Sequence, residues 1–254
     1  MSNAQIVGLS RQVALLRHLE VVSNNIANMN TTGFKADNLL FEEFLGSSAR
    51  AAHTNGQVGV SYVQDRGVWR DYSQGAVQTT GNPLDIAIVG EGFFIVRTPD
   101  GERYTRNGAL QIAANGQLVT GDGFPVLGEN GPITFQPTDR NIAISKDGRI
   151  TVNEGANTIT EGVRGKLRVV RFAQPQNLQK DGLSNFVAPE DMPAQPVTNV
   201  NVQQAALEKS NINSVLEMTR LIEISRTYTQ IANMIQQHSD MRRNAIQQLA
   251  EVPS

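Results

Sequence analysis

The sequence predicts an α+β protein: long N- and C-terminal helices forming a coiled-coil module, with a central antiparallel β domain between them. Three observations carry this reading. Apolar residues recur at steps of three and four at both ends of the 254-residue chain. The middle is rich in Gly, β-branched residues and turn dipeptides. Residues 173–208 hold four of the ten prolines and read as extended chain.

Residues 1–29 contain no Pro and one Gly. Ile6, Leu9, Val13, Leu16, Leu19, Val22, Ile26 and Met29 form a helical stripe with steps 3-4-3-3-3-4-3, close to a heptad with one local irregularity. Gly33 lies just past the end, where a helix stop belongs. The stretch 31–80 is mixed: an apolar run at Leu39–Leu45, a polar Gly/Asn stretch, then strands near Val58–Val63 and Val68–Tyr72. From 81 to 172 the turn pairs Asp100-Gly101, Asn115-Gly116 and Asp147-Gly148 each separate two apolar or β-branched runs. Such pairs supply the positive φ of a type I′ turn, so the segment reads as an antiparallel meander closing into a small sandwich or barrel. At the far end, Ser214-Val215-Leu216-Glu217 fits a capping box. Leu221, Ile224, Tyr228, Ile231, Ile235 and His238 follow at 3-4-3-4-3 spacing, and Met241, Ala245 and Leu249 extend the stripe. Helices over 2–29 and 214–250 would be roughly 40 and 55 Å long. The expected organisation is a core module from 1–30 and 210–254, a connecting region 31–80, a β-rich outer domain 81–172 and a return segment 173–209.

Bulk composition narrows the function classes. Apolar residues are 39% and charged residues 18%; 22 Lys+Arg against 24 Asp+Glu give a net charge of -2. With both signs interspersed there is no basic stripe for nucleic acid and no cationic cluster for anionic lipid. Cysteine is absent, which excludes disulfides and thiolate metal sites. Met1–Met29 lacks a continuous apolar core and a small-residue cleavage site, so it does not read as a secretory signal peptide. No run of 18 apolar residues could span a membrane. Taken alone, these facts suggest a soluble cytoplasmic protein.

The ends pose a physical problem. Burying one Leu or Ile contributes about 1.5–3 kcal/mol, against roughly 1.5 kcal/mol to order each residue. An isolated two-helix coil is therefore marginal, and it becomes favourable when neighbouring copies cover the outer faces. Beside the first helix runs Ser23-Asn24-Asn25-Ile26-Ala27-Asn28-Met29-Asn30-Thr31-Thr32. Asn is a poor helix former. The run is either a helix C-terminus with Asn near a left-handed stop, or a set of amides that bond to backbones of adjacent subunits.

Four blocks resemble one family, the flagellar rod and hook axial proteins. They are Val22–Lys35 (VSNNIANMNTTGFK), Thr80–Phe94 (TGNPLDIAIVGEGFF), Tyr104–Gly108 with Asn115–Val119, and Leu207–Asn213 with Glu217-Met218 and Ser225–Tyr228. Length and the opening Ile6–Gln12 look most like the family's proximal-rod branch in alphaproteobacteria, with the distal-rod branch as runner-up. The resemblance implies a helical tube in the periplasm, with terminal helices as an inner coiled-coil layer and β domains outside. It implies partners that are copies of the chain and other rod proteins, and passage through the flagellar type III export apparatus without a cleaved signal. That reverses the cytoplasmic expectation and makes the absence of cysteine sensible. The expected subunit-interface residues are the N-terminal stripe Ile6 through Met29, with Asn24, Asn25 and Asn28 setting register, and Leu221, Ile224, Tyr228, Ile231, Ile235, Met241, Ala245 and Leu249.

Catalytic chemistry is not expected. His18, His53 and His238 have no metal-ligand spacing, and no nucleophile elbow, P-loop or zinc-protease motif occurs. Gly90-x-Gly92 and Gly121-x-Gly123 open no helix and read as strand turns; Trp69 reads as a core or inter-domain anchor. The expectation is a structural subunit with no cofactor, no small-molecule substrate and no nucleic acid. A β-domain enzyme or lectin, and a secreted coat or adhesin subunit, are the competing readings.

Overall fold

A computed structural model describes residues 3–45, 61–155, 160–182 and 184–250. His53, residues 58–60 of one expected strand, and the side chains of Ile6 and Leu249 lie outside the described residues. The chain is α+β, with a helix at each end and a central antiparallel β region. It divides into two compact units, one within 1–27, 37–70 and 213–254, the other within 28–36 and 71–212.

The first unit holds α1 (Asn3–Ala27), β1 (Asp37–Leu45), β2 (Ser61–Arg70) and α2 (Ser214–Ala250). Helix α1 stops two residues before the expected Met29. There Thr31 N–H donates to the Asn28 carbonyl at 3.1 Å and the chain turns. Helix α2 begins at Ser214, but its cap is the preceding residue: Asn213 Oδ1 accepts from Leu216 N–H at 3.2 Å. With the cap at Asn213 the third helical position is Leu216, so the expected capping box does not form, and the Glu217 carboxylate bonds Asn25 and Arg220 instead. A Cβ at Gly8 would meet Ile235, and Asn25 reaches Glu217, so the two helices run antiparallel. Strands β1 and β2 pair antiparallel with a register shift between Leu40 and Phe41, and both pack on α1. Trp69 pairs across from Asn38 and is 39% exposed, which excludes the core position among the two expected for it.

The second unit is built from short strands. In order they are β3 (Val77–Thr79), β4 (Ile86–Ile88), β5 (Phe93–Thr98), β6 (Gly101–Thr105), β7 (Leu110–Ile112), β8 (Leu118–Thr120), β9 (Leu127–Gly128), β10 (Gly131–Pro132), β11 (Asp139–Ile144), β12 (Arg149–Glu154) and β13 (Thr160–Lys166). Then come β14 (Val169–Arg171), β15 (Gln179–Asp181), β16 (Asn185–Val187), β17 (Gln195–Pro196), β18 (Val202–Gln204) and β19 (Ala206–Glu208). The three expected hairpins form: β5–β6, β7–β8 and β11–β12. They do not close into one meander. A six-stranded sheet in the order β15-β16-β6-β5-β14-β17 takes half its strands from beyond residue 172, while β18 and β19 return to pair with β4 and β3. The reason lies in β5, where a continuous apolar run puts a side chain on each face. Phe93 and Ile95 enter one cluster with Val170, Phe172 and Phe186; Phe94 and Val96 enter another with Ile86, Leu118 and Ile150. Covering both faces requires the late strands.

Candidate functional site

Two features of the molecule are candidates, one in each unit. In the first unit the two helices meet through a seam. On α2 it comprises Glu217, Leu221, Ile224, Tyr228, Ile231, Ile235 and His238, spaced 4-3-4-3-4-3, with Glu217, Ile224 and Ile231 buried and the rest half-buried. On α1 the buried positions are small or polar: Gly8, Ala14, Val21, Val22 and Asn25. A Cβ at position 8 would lie 3.0 Å from Ile235 Cγ1, so glycine lets Ile235 seat close to the α1 backbone.

The larger apolar residues of α1 point elsewhere. Leu9, Val13 and Leu16 are 53%, 60% and 44% exposed. Helix α2 likewise exposes Val215, Met218, Ile222, Met234, Met241 and Ile246. Among the residues expected at an interface, Val22, Asn25, Ile224 and Ile231 are buried within the protomer. Leu19, Ile26, Met29, Leu221, Tyr228 and Ile235 are half-buried, and Leu9, Val13, Leu16, Asn24, Met241 and Ala245 are exposed. Asn28 is buried and belongs to the second unit. Sequence reasoning missed Gly8, Ala14 and Val21, whose small side chains give a weak periodic signal. It also missed the second apolar face of α2, for which the 3-4 spacing of Val215, Met218 and Ile222 was an available sign.

Asn25 is bound three ways inside the first unit. Its Nδ2 donates to the Asp37 carbonyl at 2.8 Å and to Glu217 Oε2 at 3.3 Å, and its Oδ1 accepts from Asp37 N–H at 3.0 Å. One amide thus joins the end of α1 to the start of β1 and the start of α2. Arg220 caps the arrangement by donating to Glu217 Oε1 at 2.6 Å, and Arg70 meets Asp37 at 2.7 Å. His18 lies in the same field. Burial pushes its imidazole below the usual value and the Arg220 charge adds to that, with Glu217 opposing.

The second unit contains a buried charged node. The Glu208 and Lys35 side chains are both 0% exposed. Lys35 Nζ donates to Glu208 Oε1 and to the Ser73 carbonyl, each at 2.6 Å. Gly75 N–H donates to the same Oε1 at 3.0 Å, and Arg106 donates to Oε2 at 3.2 Å. Burial lowers the pKa of both Lys35 and Arg106, and Glu208 opposes the shift in each. Close approach of backbones makes the node possible. Gly33 has φ +68, and a Cβ there would lie 2.5 Å from the Arg106 carbonyl carbon. At Gly75 a Cβ would lie 1.9 Å from the Lys209 oxygen. Gly33 therefore does more than stop a helix: only glycine fits the contact.

Among the described residues no group of three or more His, Asp or Glu side chains could hold a metal. A cleft of about 430 Å³ opens beside the β7–β8 turn, lined by Ile112, Asn115, Phe135, Gln136, Asp139 and Ile142. Its one charged side chain, Asp139, is already bonded by Arg164 through both carboxylate oxygens at 2.6 Å. Among the described residues no helix is long and apolar enough to cross a membrane.

Residues 7–35 match the family described as flagella basal body rod protein, residues 87–152 the flagellar hook protein FlgE/F/G D1 domain, and residues 203–248 the flagellar basal body rod FlgEFG protein C-terminal. A flagellar basal-body rod protein FlgF of Caulobacter vibrioides is 40% identical over 254 residues, covering 99% of this chain and 100% of the relative. The FlgF of Mesorhizobium japonicum is 33% identical over 253 residues, 98% of each chain. A flagellar basal-body rod protein FlgG of Bacillus subtilis is 32% identical over 246 residues, 90% of this chain and 92% of the relative.

Proposed function

The chain belongs to the family of flagellar basal-body rod proteins, and on that premise we propose how its terminal helices serve the rod. It is a structural subunit of the proximal rod of the bacterial flagellar basal body. In our reading, neighbouring copies and other rod proteins cover the outer faces of the α1–α2 pair, so that coiled-coil contacts between subunits build a helical drive shaft. The observation that carries this is the exposed apolar set Leu9, Val13, Leu16, Met218, Ile222 and Met241 on two helices whose inner seam is already closed. Such residues gain about 25 cal/mol per Å² when removed from water, and large contiguous apolar surface on a protein marks an interaction site. A shaft must resist torsion, which favours many inter-subunit contacts over one flexible joint.

The expected interface residues take different roles in this scheme. Val22, Ile224 and Ile231 hold the protomer's own pair together, Asn25 aligns it, and the exposed residues of the stripe meet neighbours. Delivery through the flagellar type III export apparatus to a periplasmic rod belongs to the same reading, and no catalytic role is assigned. Val13→Asp tests it. The variant should fold with unchanged helicity, within about 0.5 kcal/mol of the parent, because position 13 is exposed. It should nevertheless fail to restore rods or swimming in a deletion strain. A Val13→Asp protein that builds normal rods would remove this face from the interface. Ile231→Asp is a poorer test, since Ile231 is buried and its loss disrupts the protomer itself.

A further inference from the structure

The chain crosses between its two units after residues 27, 36, 70 and 212. Within the second unit, the segments next to these crossings are bonded to one another. Gly33 N–H donates to the Glu208 carbonyl at 2.8 Å, and Asp71 N–H donates to the Ala36 carbonyl at 2.9 Å. Ala36 N–H donates to Asn211 Oδ1, and Asn211 Nδ2 donates to the Asp71 carbonyl, both at 2.9 Å. The charged node lies in the same cluster, with Lys35 and Glu208 separated by 173 residues of sequence.

We propose that Glu208, Lys35 and Arg106 form a charge-closed latch that opens as a unit separate from the β body, so that docking of 28–36 is conditional on the arrival of 206–211. Two physical facts support this. First, Phe34 and Ala206 are buried, but neither apolar cluster of the β body includes any residue of 28–36 or 206–211, so the latch packs outside those two cores. Second, two buried cations share one carboxylate, and Arg106 Nε is buried with no hydrogen-bond acceptor. Buried charges are tolerated only when paired. Until Glu208 docks, burying the Lys35 ammonium would leave it without a counter-charge, and closing so long a loop carries an entropic cost. Contiguous groups with few apolar contacts and hydrated open states are the ones that open below the global unfolding free energy. The latch therefore ties together, within the second unit, the segments that flank the crossings. It stands whether or not the helix faces meet other subunits.

Native-state hydrogen exchange on the full chain tests it. In the parent protein the amides of Gly33, Ala36, Asp71 and Gly75 should exchange as one class, faster than Leu118, Val126 and Leu167. If all seven exchange only together, through global unfolding, the latch is not a separate unit. In Glu208→Gln the first class should accelerate on the order of a hundredfold, as expected when one partner of a buried pair is removed. The second class should change far less. The double variant Lys35→Met with Glu208→Gln should recover part of the protection, because it removes the uncompensated ammonium. A double variant as unprotected as the single one would show that hydrogen-bond geometry, not charge, holds the segment, and would overturn the proposal. Should Glu208→Gln not fold, the parent exchange classes alone decide.

Discussion

Asn25 shows how much one side chain can do near a helix end. Its amide accepts from and donates to the Asp37 backbone while also donating to Glu217. Asn25→Ala leaves Asp37 N–H and C=O without these partners in a buried site, and should destabilise the chain by roughly 1–3 kcal/mol in denaturant unfolding. Asn25→Asp should be at least as damaging, since a carboxylate there cannot donate to Asp37 and faces Glu217. An unchanged midpoint for both would mean the amide is not structural. The Asn run is plain in the sequence. What periodicity could not reveal is that Asn25 bonds to residue 37, because that contact depends on where β1 begins. Lys35 was legible only as part of a motif; its burial beside Glu208 joins residues far apart in sequence, beyond the reach of any local pattern.

At the scale of elements, the extent of α2 was legible almost to its ends, because long apolar periodicity and the absence of proline leave little alternative. The side facing inward was harder. The large residues of α1 suggested a seam, yet the buried positions include Gly8, Ala14 and Val21, while Leu9, Val13 and Leu16 are exposed. A helix with more than one apolar face has no single answer until its partners are known. The pair should also respond to acid. His18 titrates below its ordinary value in the folded chain. Its contribution to stability is therefore present above the unfolded value of about 6.5 and is lost as pH falls through the folded one. The thermal midpoint, followed by helical circular dichroism, should fall between pH 7.5 and 5, and His18→Gln should flatten that part of the profile. Equal slopes in parent and variant would exclude His18 as the cause.

For the whole molecule, the order of helix, β region and helix followed from composition and turn chemistry, and the family from four blocks spread along the chain. The sheet topology did not follow. Strands of three residues such as β16 and β18 carry too few side chains to show a period, and they exist because the two faces of β5 need cover: Phe186 enters one cluster and Val202 the other. On the proposed reading, other subunits in the rod cover the outer faces of the helix pair. Met234 and Met241, 55% and 63% exposed in the protomer, report on those faces directly. Oxidative footprinting of isolated protein and of purified basal bodies, read by mass spectrometry, measures both. Assembly should slow oxidation of Met241 and Met234 by on the order of tenfold or more, as burial removes access to the thioether. Equal oxidation of these methionines in free protein and intact rods would contradict the account.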